Sequence, residues 1–243
     1  MESPEAPVLE MRGIAASYGA RRVLSDFNLT AGSRELVAVV GHNGAGKTTA
    51  LRIASGLKSP SKGQVLIGGQ PAGRSSASSR ARAGMGMVPE GVAGLFPTLT
   101  VRQNLDAVNA FSGSTDDAGW ESILTEIQTV FQDVLVKRRD QIAGSLSGGQ
   151  RQMLAISLAL VRRPTVLLLD EPSTGLAPTV VERIFHVVEQ LTKQTSTAVV
   201  LVEQNLADAL RVASRVVVVQ SGQAVAQFHR GEFPSATELW KFF

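Results

Sequence analysis

Nine consecutive residues, Gly41, His42, Asn43, Gly44, Ala45, Gly46, Lys47, Thr48 and Thr49, carry the pattern G-x-x-x-x-G-K-[ST]. Glycines at these spacings let a chain curl so that successive backbone N–H groups point at one anion. Lys47 at the end of the curl adds a mobile charge for the β- and γ-phosphates of a nucleoside triphosphate, and the Thr48 hydroxyl is placed to ligate Mg²⁺. A glycine-rich turn with a stray lysine is common, so context decides. Here the apolar run ELVAVV precedes the loop and a helical segment from Lys47 to about Gly56 follows it. Strand, loop and helix together predict an ATP site, with the helix N-terminus adding its positive dipole end.

A second chemistry-bearing segment is VLLLDE at Val166–Glu171. An apolar strand delivers Asp170 to the carboxyl edge of a sheet, where it can hold Mg²⁺, and Glu171 follows as the natural general base for an attacking water. A strand exiting into an acidic loop is weak evidence alone; paired with Lys47 it becomes specific. The third segment, LSGGQ, comprises Leu146, Ser147, Gly148, Gly149 and Gln150 and opens a helix that runs to Arg163 before Pro164. Ser147 is a natural N-cap, and the two glycines leave backbone N–H groups bare. The five residues read equally well as an ordinary capped helix or as a second anion contact.

These segments must be positioned by a sheet. VLEMRGI, RRVLSDFNL and ELVAVV read as strands, and QVLIGG adds another after the first helix. TVRQNLDAVNAF and WESILTEIQTVFQDVL have helical spacing, with no convincing core strand between Leu95 and Arg163. TVLLLD, TAVVLVE and RVVVVQS then alternate with helices, followed by QAVAQF. Alternating β and α segments imply a mostly parallel sheet covered on both faces. The expected fold is one α/β P-loop domain over 1–243, with a core lobe of 1–90 and 164–243 and a helical lobe of 91–163.

Composition sets limits. The 243 residues are 44% hydrophobic, enough for one sizeable core, and contain no cysteine, which excludes disulfides and thiolate metal sites. No apolar run approaches the ~18 residues of a membrane span, and MESPEAPVLE is unlike a secretory leader; the expectation is a soluble intracellular protein. The net charge of +3 is spread over small clusters, which read as solvated faces and helix ends and not as a nucleic-acid stripe. GRSSASSRAR, which holds one of them, reads as a flexible surface segment.

With the loop, the acidic strand end and LSGGQ in hand, the chain resembles the nucleotide-binding subunits of ABC transporters over nearly its whole length. The resemblance implies a fold with an antiparallel β subdomain and an inserted helical one. It implies that Tyr18 in ASYG stacks on adenine, and that MVPEG is the loop joining core to helical lobe beside the membrane subunit. SxGLAP at Ser173–Pro178 becomes the D-loop and VEQN at Val202–Asn205 the switch loop. It further implies a head-to-tail pair in which Leu146–Gln150 serve the partner's nucleotide, with ATP and Mg²⁺ as cofactors.

Glu90 stands where the family commonly has glutamine, Gln204 where it has histidine, and Leu158 where an arginine is common. Glu90 is a further hard-oxygen neighbour for Mg²⁺; Gln204 can hydrogen-bond a phosphate oxygen but cannot become a cation. PEG, FPTLTVRQNL, SLSGGQRQM, DEPSTGLAP and LVEQN together resemble one ATPase subunit of bacterial branched-chain amino-acid importers, in which Glu and Gln at these places are customary. That implies a non-identical partner ATPase, two transmembrane subunits, a periplasmic or extracellular solute-binding protein, and a peripheral place on the cytoplasmic face of the membrane. The departures are GVAGLFP, which lacks an arginine usual after PEG, and the tail ATELWKFF. Alternatives are a urea, amide or other small-solute importer, a soluble non-transport ATPase, and a regulatory subunit that holds ATP without turnover.

Overall fold

The computed structural model describes residues 6–92, 94–112, 125, 131, 136–234 and 236–239. Six strands form the main sheet in the order β10-β9-β3-β8-β7-β6. They are β3 (Leu36–Val40), β6 (Met85–Val88), β7 (Val166–Asp170), β8 (Ala198–Glu203), β9 (Arg215–Gln220) and β10 (Gln223–His229). All pair in parallel except β10, which lies antiparallel to β9. A second, antiparallel sheet, in the order β2-β1-β4-β5, is built from β1 (Leu9–Tyr18), β2 (Arg21–Ala31), β4 (Lys62–Ile67) and the short β5 (Gln70–Pro71).

Because side chains alternate across a strand, each apolar run of the main sheet divides its residues between two cores. Val37, Val39, Leu168, Val200 and Val217 face α1 (Lys47–Ala54) and the antiparallel sheet. Ala38, Val40, Leu169, Leu201 and Val218 face α3 (Val101–Ser112), α4 (Gly148–Leu160), α5 (Pro178–Gln194) and α6 (Leu206–Val212). Leu239 of α7 (Ala236–Leu239) is fully buried in this second core, so part of the tail ATELWKFF packs on the domain. Leu158 is buried there as well, in keeping with a structural reading of that position. The strands expected from sequence are present, and no strand lies between Leu95 and Arg163 among the described residues. The helix expected over 120–135 lies outside them apart from Thr125 and Phe131.

Two segments depart from expectation. Met85–Val88 forms β6, an edge strand that its two glycine-flanked methionines do not announce. GRSSASSRAR is not a loose surface segment: it contains α2 (Ala77–Arg82), whose N-cap Ser76 accepts a hydrogen bond from Ser79 N–H at 3.3 Å. Arg80 of α2 is 2% exposed. Its guanidinium donates to the carbonyls of Ile53, Ala54 (2.8 Å) and Gly73 (3.2 Å) and to Ser75 Oγ (3.1 Å). The last carbonyls of a helix have no intrahelical donor, and α1 receives its donor from this arginine. The basic cluster thus serves a helix C-terminus after all, that of α1.

Arg80→Ala is therefore expected to lower stability by about 3 kcal/mol by stranding buried carbonyls and opening a void. The measurement is urea unfolding, read as a lower midpoint at unchanged slope; an unchanged midpoint would show that α1 is capped by other means.

Candidate active site

The parallel register brings three strand ends level. Val40 pairs with Glu203 across β3 and β8, and Val202 pairs with Asp170 across β8 and β7. The loops leaving these strands emerge side by side at the carboxyl edge, the position where open α/β sheets bind ligands.

The loop leaving β3 is shaped by close backbone approach. A Cβ on Gly41 would lie 2.2 Å from the Val219 carbonyl oxygen, and one on Gly46, at φ 108°, would lie 2.6 Å from Leu24 Cδ2. Only glycine lets the chain pass both points. His42, Asn43 and Gly44 are exposed at the tip of the loop, whereas Ala45, Gly46, Lys47 and Thr49 are buried. Lys47 Nζ donates to the carbonyls of Gly41 (2.6 Å) and His42 (3.0 Å). Burial pushes its pKa down, and the nearby carboxylates of Glu171, Asp170 and Glu203 partly offset this. A buried ammonium resting on neutral carbonyls lacks the charged acceptor that a phosphate would supply. The loop therefore fits the group that its sequence predicts.

Thr48 Oγ1 donates to Asp170 Oδ1 at 3.0 Å, joining α1 to the end of β7. Burial pushes the Asp170 carboxyl up, the Thr48 hydrogen bond opposes this, and the charges of Glu171 and Glu90 add to it. No cluster of three His, Cys, Asp or Glu that could hold a metal ion occurs among the described residues. One hydroxyl and one carboxylate suit Mg²⁺, which takes its other ligands from phosphate and water. Glu90 is exposed at the start of the 3₁₀ turn Glu90–Val92 after β6, where it acts on Asp170 through its charge.

Glu171 is 7% exposed and takes the left-handed conformation, φ 47°, which a non-glycine residue adopts only where its surroundings hold it. Its N–H donates to the Val202 carbonyl at 2.9 Å. Its Oε2 accepts from Gln204 Nε2 at 2.6 Å and from Thr174 Oγ1 at 3.3 Å. Gln204 thus grips the carboxylate itself. A cavity of about 320 Å³ opens between Glu171, Lys47, Thr48, Asn43 and Tyr18. Tyr18 is 47% exposed at its mouth, with Lys58 Nζ 3.9 Å from the ring centroid, so one face of the ring is covered and the other can receive a planar base.

Leu146–Gln150 take no part in lining this cavity. Ser147 caps α4 in a full capping box: its Oγ accepts from Gln150 N–H at 3.3 Å, and Gln150 Oε1 accepts from Ser147 N–H at 3.0 Å. Ser147 is exposed, Gly148 and Gln150 are half-buried, and Leu146 and Gly149 are buried. A Cβ on Gly149 would stand 2.5 Å from Val180 Cγ1, so this glycine also lets α4 pack against α5. That packing role is additional to the bare N–H groups read from sequence.

Residues 24–174 match the family model described as ABC transporter. The chain belongs to the ABC transporter family. Over 218 residues it is 37% identical to the high-affinity branched-chain amino acid transport ATP-binding protein BraG of Pseudomonas aeruginosa, covering 90% of this chain and 91% of BraG. It is 33% identical over 218 residues to the lipopolysaccharide export system ATP-binding protein LptB of Escherichia coli K12, covering 90% and 89%. Among solved structures, the ADP conformation of MJ1267, an ATP-binding cassette of an ABC transporter, superposes with a TM-score of 0.84 at 22% identity, covering 97% and 99%. CbiO1 from Clostridium perfringens does so with a TM-score of 0.85 at 22% identity, covering 98% and 94%. This chain is thus an ABC transporter ATPase subunit with the P-loop cassette fold. No helix among the described residues is long and apolar enough to cross a membrane.

One residue of this ABC ATPase escapes sequence reading. Glu203, 1% exposed, accepts hydrogen bonds from Ser173 N–H (3.1 Å), Ser173 Oγ (2.8 Å) and Gln204 N–H (3.2 Å). It ends an apolar strand as Asp170 does, and that shared pattern was the available signal. Burial pushes its carboxyl from 4.5 to about 7, against hydrogen bonds from Ser173, Gln204 and Asn205 that favour the ionised form. A carboxyl raised on folding holds its proton more tightly in the native state. Its contribution to stability is therefore complete below about pH 4.5 and is lost as the pH rises to about 7. The unfolding free energy of the wild type relative to Glu203→Gln should accordingly fall between pH 5 and 7, by at most about 1.4 kcal/mol per pH unit. Parallel pH profiles for the two proteins would contradict this.

Proposed function

We propose that Gly41–Thr49 cradle the phosphates of ATP, that Lys47 contacts the β- and γ-phosphates, and that Tyr18 stacks on the base. Glu171 is the general base that takes the proton of the attacking water, and Gln204 is its positioning residue. Thr48 and Asp170, with Glu90 acting through its charge, would hold Mg²⁺, whose chemistry is to neutralise charge gathering on the phosphates. The observation that carries this reading is the Glu171 carboxylate, held at 2.6 Å by Gln204 on the wall of the cavity that contains Lys47 and Thr48. A carboxylate fixed this way can accept a proton only from a water lodged in that cavity.

Leu146, Ser147, Gly148, Gly149 and Gln150 complete the site of a second, non-identical ATPase in a head-to-tail pair. Their absence from the lining of this chain's own cavity supports that assignment, as does the exposure of Ser147 at a helix N-terminus. Residues 91–163 act as a helical lobe set into a core of 1–90 and 164–243. Two transmembrane subunits and a solute-binding protein complete the assembly, with this chain on the cytoplasmic face of the membrane. The cargo is a branched-chain or related amino acid, supported by the likeness to BraG, a branched-chain amino acid transport ATP-binding protein, and by Glu90 and Gln204. The similarity to LptB favours a second reading, in which the same motor drives export of a lipid-linked molecule.

Glu171→Gln should leave MgATP affinity within about threefold of wild type while turnover falls at least about 100-fold, the scale of lost general-base catalysis; it should also trap an ATP-dependent dimer by size-exclusion chromatography. Undiminished turnover would remove Glu171 from the role. For the cargo, deletion of the gene should abolish high-affinity uptake of labelled leucine, isoleucine and valine, and restoring the gene should restore it. Normal uptake in the deletion strain would overturn the import reading.

A further inference from the structure

Glu171 receives two side-chain donors, and they arrive from different segments. Thr174 comes from the turn after β7, and Gln204 from the loop after β8. Thr174 is the immediate neighbour of a residue tied to Glu203, and Gln204 is tied to it directly. Ser173, before Thr174, donates its N–H and its hydroxyl to the two oxygens of Glu203; Gln204 donates its own N–H to the same carboxylate. We propose that Glu203 is a further positioning residue of the hydrolytic site, a single buried carboxylate that locks both segments from which the general base is held. The inference rests on the reading of Glu171 as that base.

Geometry favours this over a purely structural role. Glu203 sits between the two halves of the site, because β8 lies between β3 and β7, and its backbone pairs with Val40 immediately before the phosphate loop. Its partners are neutral N–H and O–H groups directed at both oxygens, so each segment is fixed in orientation and not merely in contact. A buried carboxylate is a poor way to gain stability, since an apolar residue of similar size serves as well or better. What an apolar side chain cannot do is hold Ser173 and Gln204 by hydrogen bonds. The left-handed backbone of Glu171 needs such bracing: a residue in that conformation persists only where its surroundings over-determine it.

The two roles separate experimentally. Wild type, Glu203→Leu, Glu203→Gln, Ser173→Ala and the double variant Glu203→Leu/Ser173→Ala would be compared as full chains, in the assembly in which the wild type hydrolyses MgATP. Melting temperature, MgATP affinity, kcat and KM are measured for each. Glu203→Leu should lose no more than a few degrees in melting temperature, the cost of its stranded part-buried donors, and keep KM within about threefold, while kcat falls at least about tenfold. Ser173→Ala should lose less, and should add nothing to Glu203→Leu, because both remove the same contact. Wild-type kcat in Glu203→Leu would overturn the proposal, and so would parallel losses of kcat, affinity and melting temperature. If Glu203→Leu does not fold, Glu203→Gln decides. It keeps one acceptor oxygen but turns an amide against donors, so kcat should fall with affinity retained. Glu171→Gln runs alongside: turnover surviving there defeats the base reading, whereas collapse there with full activity in the Glu203 variants defeats the positioning role alone.

Discussion

The in-register pairing of β3, β8 and β7 is the constraint on which the site depends. Parallel strands place their carboxyl ends on one edge, and here the pairs Val40–Glu203 and Val202–Asp170 bring those ends level to within one residue. A slip of one residue would turn every side chain of β8 to the opposite face. Glu203 would then point away from Ser173, and the apolar sets facing the two cores would exchange sides. The same alternation that fills the cores therefore aims the chemistry. This explains why three separate parts of the chain, near residues 47, 170 and 203, can meet without long loops.

Charge is the second organising quantity. Lys47, Asp170, Glu171 and Glu203 are nearly all withdrawn from water, and burial disfavours the charged forms of Lys47, Asp170 and Glu203. The structure offsets this with hydrogen bonds to neutral groups: Lys47 donates to two carbonyls, and Glu203 accepts from Ser173 and Gln204. Such an arrangement leaves the lysine without a tight anionic partner among the described residues. On the proposed function, a phosphate would be the charged acceptor that suits such a lysine.

Much of this was legible in the sequence because short, contiguous motifs carry it. Gly41–Thr49 reports its own conformation through glycine spacing, and Val166–Glu171 and Val202–Asn205 report strand ends. The unread parts depend on contacts distant in sequence. Arg80 looked like one member of a basic surface cluster; its burial follows from the unfilled carbonyls of Ile53 and Ala54, 26 or more residues earlier. β6 was hidden because Gly84 and Gly86 interrupt an apolar pattern that is completed only by pairing with β7. Gly149 was read for its N–H group, while the crowding from Val180 lies on another helix. Periodicity sees one face of one element, and none of these facts belongs to one element.

Gln204 stands where the resemblance implies a histidine, and the two side chains differ physically. A histidine there can titrate between pH 5 and 8 and present a cation to its neighbours. The amide of Gln204 is neutral at all pH values and offers Nε2–H as a donor to Glu171 at 2.6 Å. It fixes the direction of the carboxylate without cancelling its charge. Orientation that imidazole could supply by charge and hydrogen bond together must then come from hydrogen bonds alone, and a single flexible amide on a loop is weakly restrained. Glu203, by holding the Gln204 backbone, and Thr174, by donating from the opposite segment, supply the missing restraint. The buried carboxylate one residue before Gln204 and the neutral amide at that place are thus two parts of one solution.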